Sequence, residues 1–166
     1  GARGPAFWDA KPHPDAAALY TFSLLANDVY PDYTTALGDL ALGRRFLTPG
    51  FAPVSDARLY PSEKRQRETG FPAQVSASLD KSRVVVAFEG TDFSQTPDLL
   101  TNAYVLPGRS AQERLAMEVA QRTRERFPRA HVVAVGHSLG GALALTASAR
   151  HKGLDAIAFN PSPNVK

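Results

Sequence analysis

The clearest candidate for chemistry is the run Gly-His-Ser-Leu-Gly-Gly at residues 136–141. An apolar run precedes it at residues 131–135, and a run rich in alanine and leucine follows it. A buried strand that turns into a helix through Gly-x-Ser-x-Gly is the layout of a nucleophile elbow, in which the serine hydroxyl is exposed at a sharp turn. Ser138 is therefore the candidate nucleophile.

The glycines of this run have a physical reason. Strand and helix must approach so closely that side chains at Gly136 and Gly140 would collide. A bare Gly-x-Ser-x-Gly arises by chance in about one chain in twenty of this length, given ordinary glycine usage. The flanking strand and helix and the third glycine, Gly141, are what an elbow requires, so they favour the elbow over chance.

A serine hydroxyl is a poor nucleophile at neutral pH, so Ser138 needs a histidine, a carboxylate to orient that histidine, and N–H donors for an oxyanion. The backbone N–H of Leu139, at the start of the predicted helix, is the first donor. The second is expected from the loop after a neighbouring strand. There Gly90 lets the backbone approach, Thr91 offers an N–H and a hydroxyl, and Asp92 supports the loop by hydrogen bonds. The alternative for Thr91 is a simple turn residue.

Composition narrows the classes of protein to consider. The 166 residues are 43% hydrophobic and 21% charged, as expected for one globular domain or part of one. The absence of cysteine excludes disulfides and thiolate metal sites, and no metal or cofactor is expected. The net charge is +3, but acids and bases alternate at residues 63–68 and 122–126, which is typical of a solvated face rather than a nucleic-acid site.

No apolar run resembles a membrane span or a signal-peptide core. The location is left open, with a secreted or effector-like protein among the alternatives.

The periodicity predicts an α/β fold. Residues 1–14, rich in proline and glycine, are expected to form an extended arm, followed by a helix from Asp15 to Pro31. Residues 33–53 are expected to form a short helix and loops, and residues 62–69 an exposed loop.

The later elements alternate between strands and helices. An alternating, half-buried strand at residues 73–79 and an apolar strand at 83–88 predict a hairpin. A capping box at Ser110 opens a helix that ends before Pro128. The elbow strand, its helix and a short apolar strand at 155–159 follow, which predicts a mostly parallel sheet with helices on both faces and an N-terminal antiparallel hairpin.

Four segments carry a family resemblance. Thr-Gly-Phe-Pro-Ala at 69–73, Val-Val-Val-Ala-Phe-Glu-Gly-Thr-Asp at 84–92, Asp-Leu-Leu-Thr-Asn at 98–102 and the run at 136–141 resemble, in order, the motifs of the class 3 lipases, α/β-hydrolases of the fungal triacylglycerol lipase type. The chain departs from that pattern at Glu89, where the family usually has arginine, and at Leu99, where it has tryptophan.

The resemblance implies that residues 15–166 form the N-terminal part of a single α/β-hydrolase domain. It implies hydrolysis of lipid esters, including triacylglycerols and phospholipids, by a Ser-His-Asp triad without a metal, with Thr91 as the second oxyanion donor. In the family the aspartate and histidine come after the strand at 155–159, so both are expected beyond residue 166.

None of the chain's histidines (His13, His131, His137 and His151) is expected to reach Ser138, and Asp155 is expected at the opposite end of the sheet. A C-terminal fragment or second chain is therefore expected to supply further strands and both missing triad residues, and this chain alone is expected to be inactive.

The residues and the resemblance together predict a serine ester hydrolase that forms an acyl-enzyme from lipid esters. A membrane surface is one place where it could meet them. The main alternative is a hydrolase-like binding module that has lost catalysis. A serine peptidase or thioesterase built on the same elbow is a further alternative.

Overall fold

Five strands among the described residues form a mixed sheet, around which the rest of the described chain is arranged. The computed structural model describes residues 16–27, 29, 48–69, 71, 73–90 and 109–161. The strands lie in chain order, with the first two pairs antiparallel and the last two parallel. They are β1 (Phe51–Pro53), β2 (Ala73–Ser78), β3 (Arg83–Phe88), β4 (His131–His137) and β5 (Asp155–Phe159).

Helices cover both faces of this sheet, as the sequence predicts. They are α1 (Ala16–Asn27), α2 (Glu63–Thr69), α3 (Arg109–Arg126) and α4 (Ser138–Arg150), with a 3₁₀ turn at Ala57–Leu59. Helices α3 and α4 pack on one face, and α1 packs on the other. No helix within the described ranges is long and apolar enough to cross a membrane.

The apolar residues of β3 contribute to the hydrophobic cores on both faces of the sheet. Val84 and Val86 join the core beneath α3 and α4, whereas Val85 and Ala87 join the core beneath α1. Because successive side chains of a strand point to opposite faces, a strand covered on both sides needs apolar residues at every position. The continuous valine run is thus explained by the central place of β3.

Two short elements differ from the sequence expectation. Residues 51–53 form a strand rather than a loop. This strand is at one edge of the described sheet, where Pro53 is tolerated because an edge strand needs no N–H donor on its outer side. Residues 63–69 form a helix rather than an exposed loop. Their Glu, Lys, Arg and Gln side chains are strong helix formers, and Lys64 pairs with Glu68 at 3.8 Å one turn later.

Two further expectations were wrong in detail. Ser110 lies inside the first turn of α3, which begins at Arg109, rather than before the helix. Strand β2 is buried on both faces instead of one, because it lies inside the sheet between β1 and β3. Its polar side chains have partners there: Gln74 donates to the Ser76 hydroxyl at 3.4 Å, and the Ser78 hydroxyl donates to Asp80 at 2.7 Å.

The hairpin between β2 and β3 is held by the Asp80 carboxylate. One of its oxygens accepts hydrogen bonds from the Ser82 backbone N–H at 3.0 Å and from the hydroxyls of Ser82 and Ser78. These bonds, that of the Ser82 amide first, lower the pKa of Asp80 from its ordinary 3.8 to about 2. The turn therefore depends on an ionised carboxylate.

Helix α4 begins in direct backbone contact with the sheet. A Cβ built on Gly136 would lie 2.5 Å from the Gly140 carbonyl oxygen, and one built on Gly140 would lie 2.9 Å from the carbonyl carbon of Phe88. Both distances are shorter than any side chain allows. The end of β3, the end of β4 and the first turn of α4 therefore meet main chain to main chain.

In the full-length protein, Gly140→Ala is expected to lower stability by about 3 kcal/mol, because the new methyl group meets backbone atoms that cannot rotate away. For a chain of this size that is a fall of roughly 6–12 °C in Tm, measurable by circular dichroism. Gly141→Ala, whose Cβ would meet its nearest atom only at 3.0 Å, is the comparison and should cost less. A Gly140→Ala protein as stable as wild type would contradict the close approach.

Asp80→Asn is expected to destabilise the fold at neutral pH and to become neutral in acid. Since folding lowers the pKa of Asp80 from 3.8 to about 2, its contribution is present above pH 4 and is lost as the pH falls toward 2. Urea unfolding of both proteins at several pH values measures the difference. A stability gap between them that stays constant from pH 6 to pH 2 would show that the carboxylate charge has no part in the turn.

Candidate active site

Ser138 lies where the carboxyl ends of the parallel strands meet. Strand β4 ends at His137 and α4 begins at Ser138, with no residue between them. Ser138 has φ of 51°, in the left-handed region that costs a residue with a side chain about 1 kcal/mol or more. This is the geometry of a nucleophile elbow, and its strain is held by the backbone contacts of Gly136 and Gly140.

The first turn of α4 directs N–H groups to the same edge. The first four amides of a helix have no carbonyl partner within it, and the helix dipole places partial positive charge there. The Leu139 amide belongs to this turn, and the Leu139 side chain is buried, which fixes the turn against the sheet. A negative charge that forms beside Ser138 would thus face N–H donors.

The segment after β3 lies beside this turn. A Cβ on Gly140 would touch the backbone of both Phe88 and Glu89, and Gly90, next along the chain, is buried. The described chain therefore brings Gly136, Ser138, Leu139, Gly140 and Gly90 to one edge. Thr91 and Asp92, which the sequence assigns to the oxyanion loop, lie outside the described residues.

His137, directly before Ser138, faces the layer of α1 on the other side of the sheet. Its ring packs against Phe159 of β5 with the centroids 5.1 Å apart. Burial lowers the pKa of His137, which a hydrogen bond with the Ser23 backbone in α1 partly opposes. Within the described chain its Nε2 is buried without a hydrogen-bond partner, so the neutral imidazole is favoured. His137 is placed to hold the elbow against α1.

The other described histidines lie far from Ser138. His131 contacts Asp155 at 2.7 Å, but both begin their strands, at the amino edge of the parallel sheet. The seven residues of β4 separate His131 from Ser138 by about 20 Å. His151 lies beyond the far end of α4, where its Nε2 is 3.1 Å from the carbonyl oxygen of Met117. His13 lies outside the described residues.

One polar residue at this edge was missed by the sequence reasoning. Asn160 follows β5 as Ser138 follows β4, and it too has a left-handed backbone, with φ of 45°. The signal was present, because Asn-Pro directly after a strand marks a turn and asparagine tolerates left-handed φ. Asp155, in contrast, lies at the amino edge, where the sequence reasoning had placed it.

No group of three or more histidine, aspartate or glutamate side chains that could hold a metal is found among the described residues. What the edge offers chemically is a half-buried serine at a strained turn, helix N–H donors and a neighbouring asparagine. Such a set can attack a carbonyl carbon and stabilise the resulting oxyanion once a base is supplied.

Solved lipases share the fold. Lipase II from Rhizopus niveus matches with a TM-score of 0.51 and 17% sequence identity, over 87% of this chain and 63% of that one. The native propeptide complex of Rhizomucor miehei lipase matches with a TM-score of 0.50 and 15% identity, over 86% of this chain and 51% of that one. The chain thus spans about half to two thirds of the length of these lipases, and its sheet is of the lipase-like α/β-hydrolase type.

No curated protein matches the chain significantly. A family model does: the phospholipase-like model described as the Tle-like phospholipase domain matches residues 21–163, which is most of the chain. The lipase-like fold that the sequence resemblance predicts is thus confirmed, and the family model gives a more specific family. The chain belongs to the Tle-like phospholipase domain family.

Proposed function

We propose that the full-length protein is a serine-dependent lipid ester hydrolase of the phospholipase or lipase type, with Ser138 as its nucleophile. The observation that carries the proposal is the left-handed Ser138 at the junction of β4 and α4, where Gly136 and Gly140 allow backbone contact. Membership of a phospholipase-like family supports phospholipids as the substrate class.

The proposed reaction is acyl transfer through Ser138. The Ser138 hydroxyl attacks the ester carbonyl carbon while a base takes its proton, and the carbonyl oxygen becomes an oxyanion. The Leu139 amide and Thr91 donate hydrogen bonds to that oxyanion, and Gly90 and Asp92 hold the Thr91 loop in place. The alcohol then leaves with the proton from the base, and water hydrolyses the acyl-enzyme to free fatty acid and Ser138.

The base and its carboxylate are proposed to come from residues beyond 166. Three described histidines are directed elsewhere: to Asp155, to the Ser23 backbone and Phe159, and to the Met117 carbonyl (His131, His137 and His151, respectively). Strand β5 is apolar on both faces yet only half-buried, and it forms one end of the described sheet. A C-terminal segment or second chain that pairs with β5 would bring an aspartate and a histidine to the carboxyl edge.

Ser138→Ala is expected to remove ester hydrolysis by several orders of magnitude while leaving the fold intact, because the covalent step is lost and the oxyanion donors remain. The loss of hydrolysis is measured by the turnover of phospholipid vesicles, and the loss of the covalent step by labelling with a serine-selective phosphonate. The control is Ser55→Ala, since Ser55 is exposed and lies between β1 and the 3₁₀ turn. A folded wild-type protein that neither labels at Ser138 nor hydrolyses esters would instead be a binding module.

Thr91→Ala is expected to lower kcat by about 10²- to 10³-fold with little change in KM, since an oxyanion donor acts mainly in the transition state. Thr146→Ala, two turns into α4, is the matched threonine control. If Thr91→Ala raised KM and left kcat intact, the residue would contact substrate in the ground state and the oxyanion role would be wrong.

Residues 1–166 alone are expected to show no ester hydrolysis, because the proposed base lies outside them. Adding a separately expressed C-terminal segment should restore activity and co-purify with this chain. An active 17.9 kDa species without any partner would overturn the placement of the base, but not the role of Ser138.

A further inference from the structure

Asn160 occupies the position beside the nucleophile on the next strand. His137 of β4 is paired with Phe159 of β5, so Ser138 and Asn160 follow at the same level on neighbouring parallel strands. Such strands lie about 4.8 Å apart. Asn160 is therefore within the reach of a substrate whose carbonyl carbon is bound at Ser138.

The segment that carries Asn160 is packed against the start of α4. A Cβ built on Gly141 would lie 3.2 Å from Cβ of Ala158 and 3.3 Å from Cβ of Pro161. The residues on both sides of Asn160 are thus fixed against the turn that follows Ser138. Pro161 also restricts the backbone, since its ring fixes its own φ.

No structural role of the Asn160 side chain is found within the described chain. The residue is exposed, and no hydrogen bond of its amide is found among the residues the structure describes. Its φ of 45° needs a residue that tolerates the left-handed region, which glycine does better than asparagine. Asparagine also meets this backbone requirement, and unlike glycine it adds an exposed amide, whose NH₂ can donate and whose oxygen can accept hydrogen bonds.

The position of Asn160 indicates which half of an ester it meets, provided that the proposed function holds. The segment after β3, which leads to the proposed oxyanion donor Thr91, starts on the β3 side of Ser138, because the backbone of Gly140 closely approaches Phe88 and Glu89 there. The alcohol half must lie near the base that returns its proton, and that base is proposed to enter from beyond β5. Asn160, at the end of β5, is on the same side as the alcohol.

We propose that Asn160 is a specificity-determining residue that hydrogen-bonds the polar alcohol half of the substrate, the glycerophosphate head group of a phospholipid. Its NH₂ donates to the phosphate or ester oxygens of that group. The acyl half makes no contact with it. Discrimination between alcohols of different polarity follows from this one amide.

The experiment compares two esters of one acyl chain, a phosphatidylglycerol and the p-nitrophenyl ester, in the full-length protein. Asn160→Gly keeps the left-handed backbone accessible and removes the amide. It is expected to lower the ratio of kcat/KM for the phospholipid to that for the p-nitrophenyl ester about tenfold, chiefly through a raised KM for the phospholipid. Asn160→Asp, which places a negative charge beside the phosphate, should lower the ratio further.

Lys81→Gly is the matched control. Lys81 also has a left-handed backbone, with φ of 57°, but it lies in the β2–β3 turn at the amino edge. The ratio of kcat/KM for the two esters in Lys81→Gly should therefore equal that of wild type. An unchanged ratio in Asn160→Gly, or an equal fall for both esters, would overturn the specificity role. Absence of phosphonate labelling at Ser138 in the wild type would instead show that the proposed function itself has failed.

Discussion

The structure depends on the backbone contact between the start of α4 and the ends of β3 and β4. Only glycine permits that contact at residues 136 and 140, where an added Cβ would overlap main-chain atoms. The contact forces the chain to turn within one residue, and Ser138 takes the resulting strain at φ of 51°. The same contact brings the first amides of α4 beside Ser138 and next to the segment after β3. One packing constraint thus places the serine and its N–H donors together.

The elbow is also held from the opposite layer. Because side chains alternate along β4, Gly136 faces α4 while His137 faces α1 and Phe159. A neutral imidazole serves this role better than a charged one, since its buried Nε2 has no partner in the described chain. The histidine before Ser138 is therefore explained by packing, and its closeness to Ser138 in the sequence does not make it a base for that serine.

The sequence predicted best what local physics determines. The hairpin of β2 and β3, the elbow and β5 follow from periodicity and glycine spacing within a few residues. Helix α2 was missed because its charged side chains resemble a loop in composition, and β1 because three residues with a proline carry no periodic signal. The burial of Gln74 and Ser76 was missed because it depends on strands that pair from elsewhere in the sequence. Asn160 becomes a candidate site residue only because the register of β4 and β5 places it beside Ser138, and no local sequence pattern predicts that register.

Sheet polarity then decides which residues can act together. His131 and Asp155 form the kind of pair a serine nucleophile needs, 2.7 Å apart and in the same sheet, yet they lie at the amino edge. The length of β4, about 20 Å, is more than a side chain can span. The pair of His131 and Asp155 at the amino edge therefore cannot act on Ser138 at the carboxyl edge. At the carboxyl edge, Ser138 has the described end of the segment after β3, up to the buried Gly90, on one side, and the exposed Asn160 after β5 on the other. An ester whose carbonyl carbon lay at Ser138 would therefore have its two oxygens in different surroundings, one beside the first amides of α4 and the other toward the end of β5.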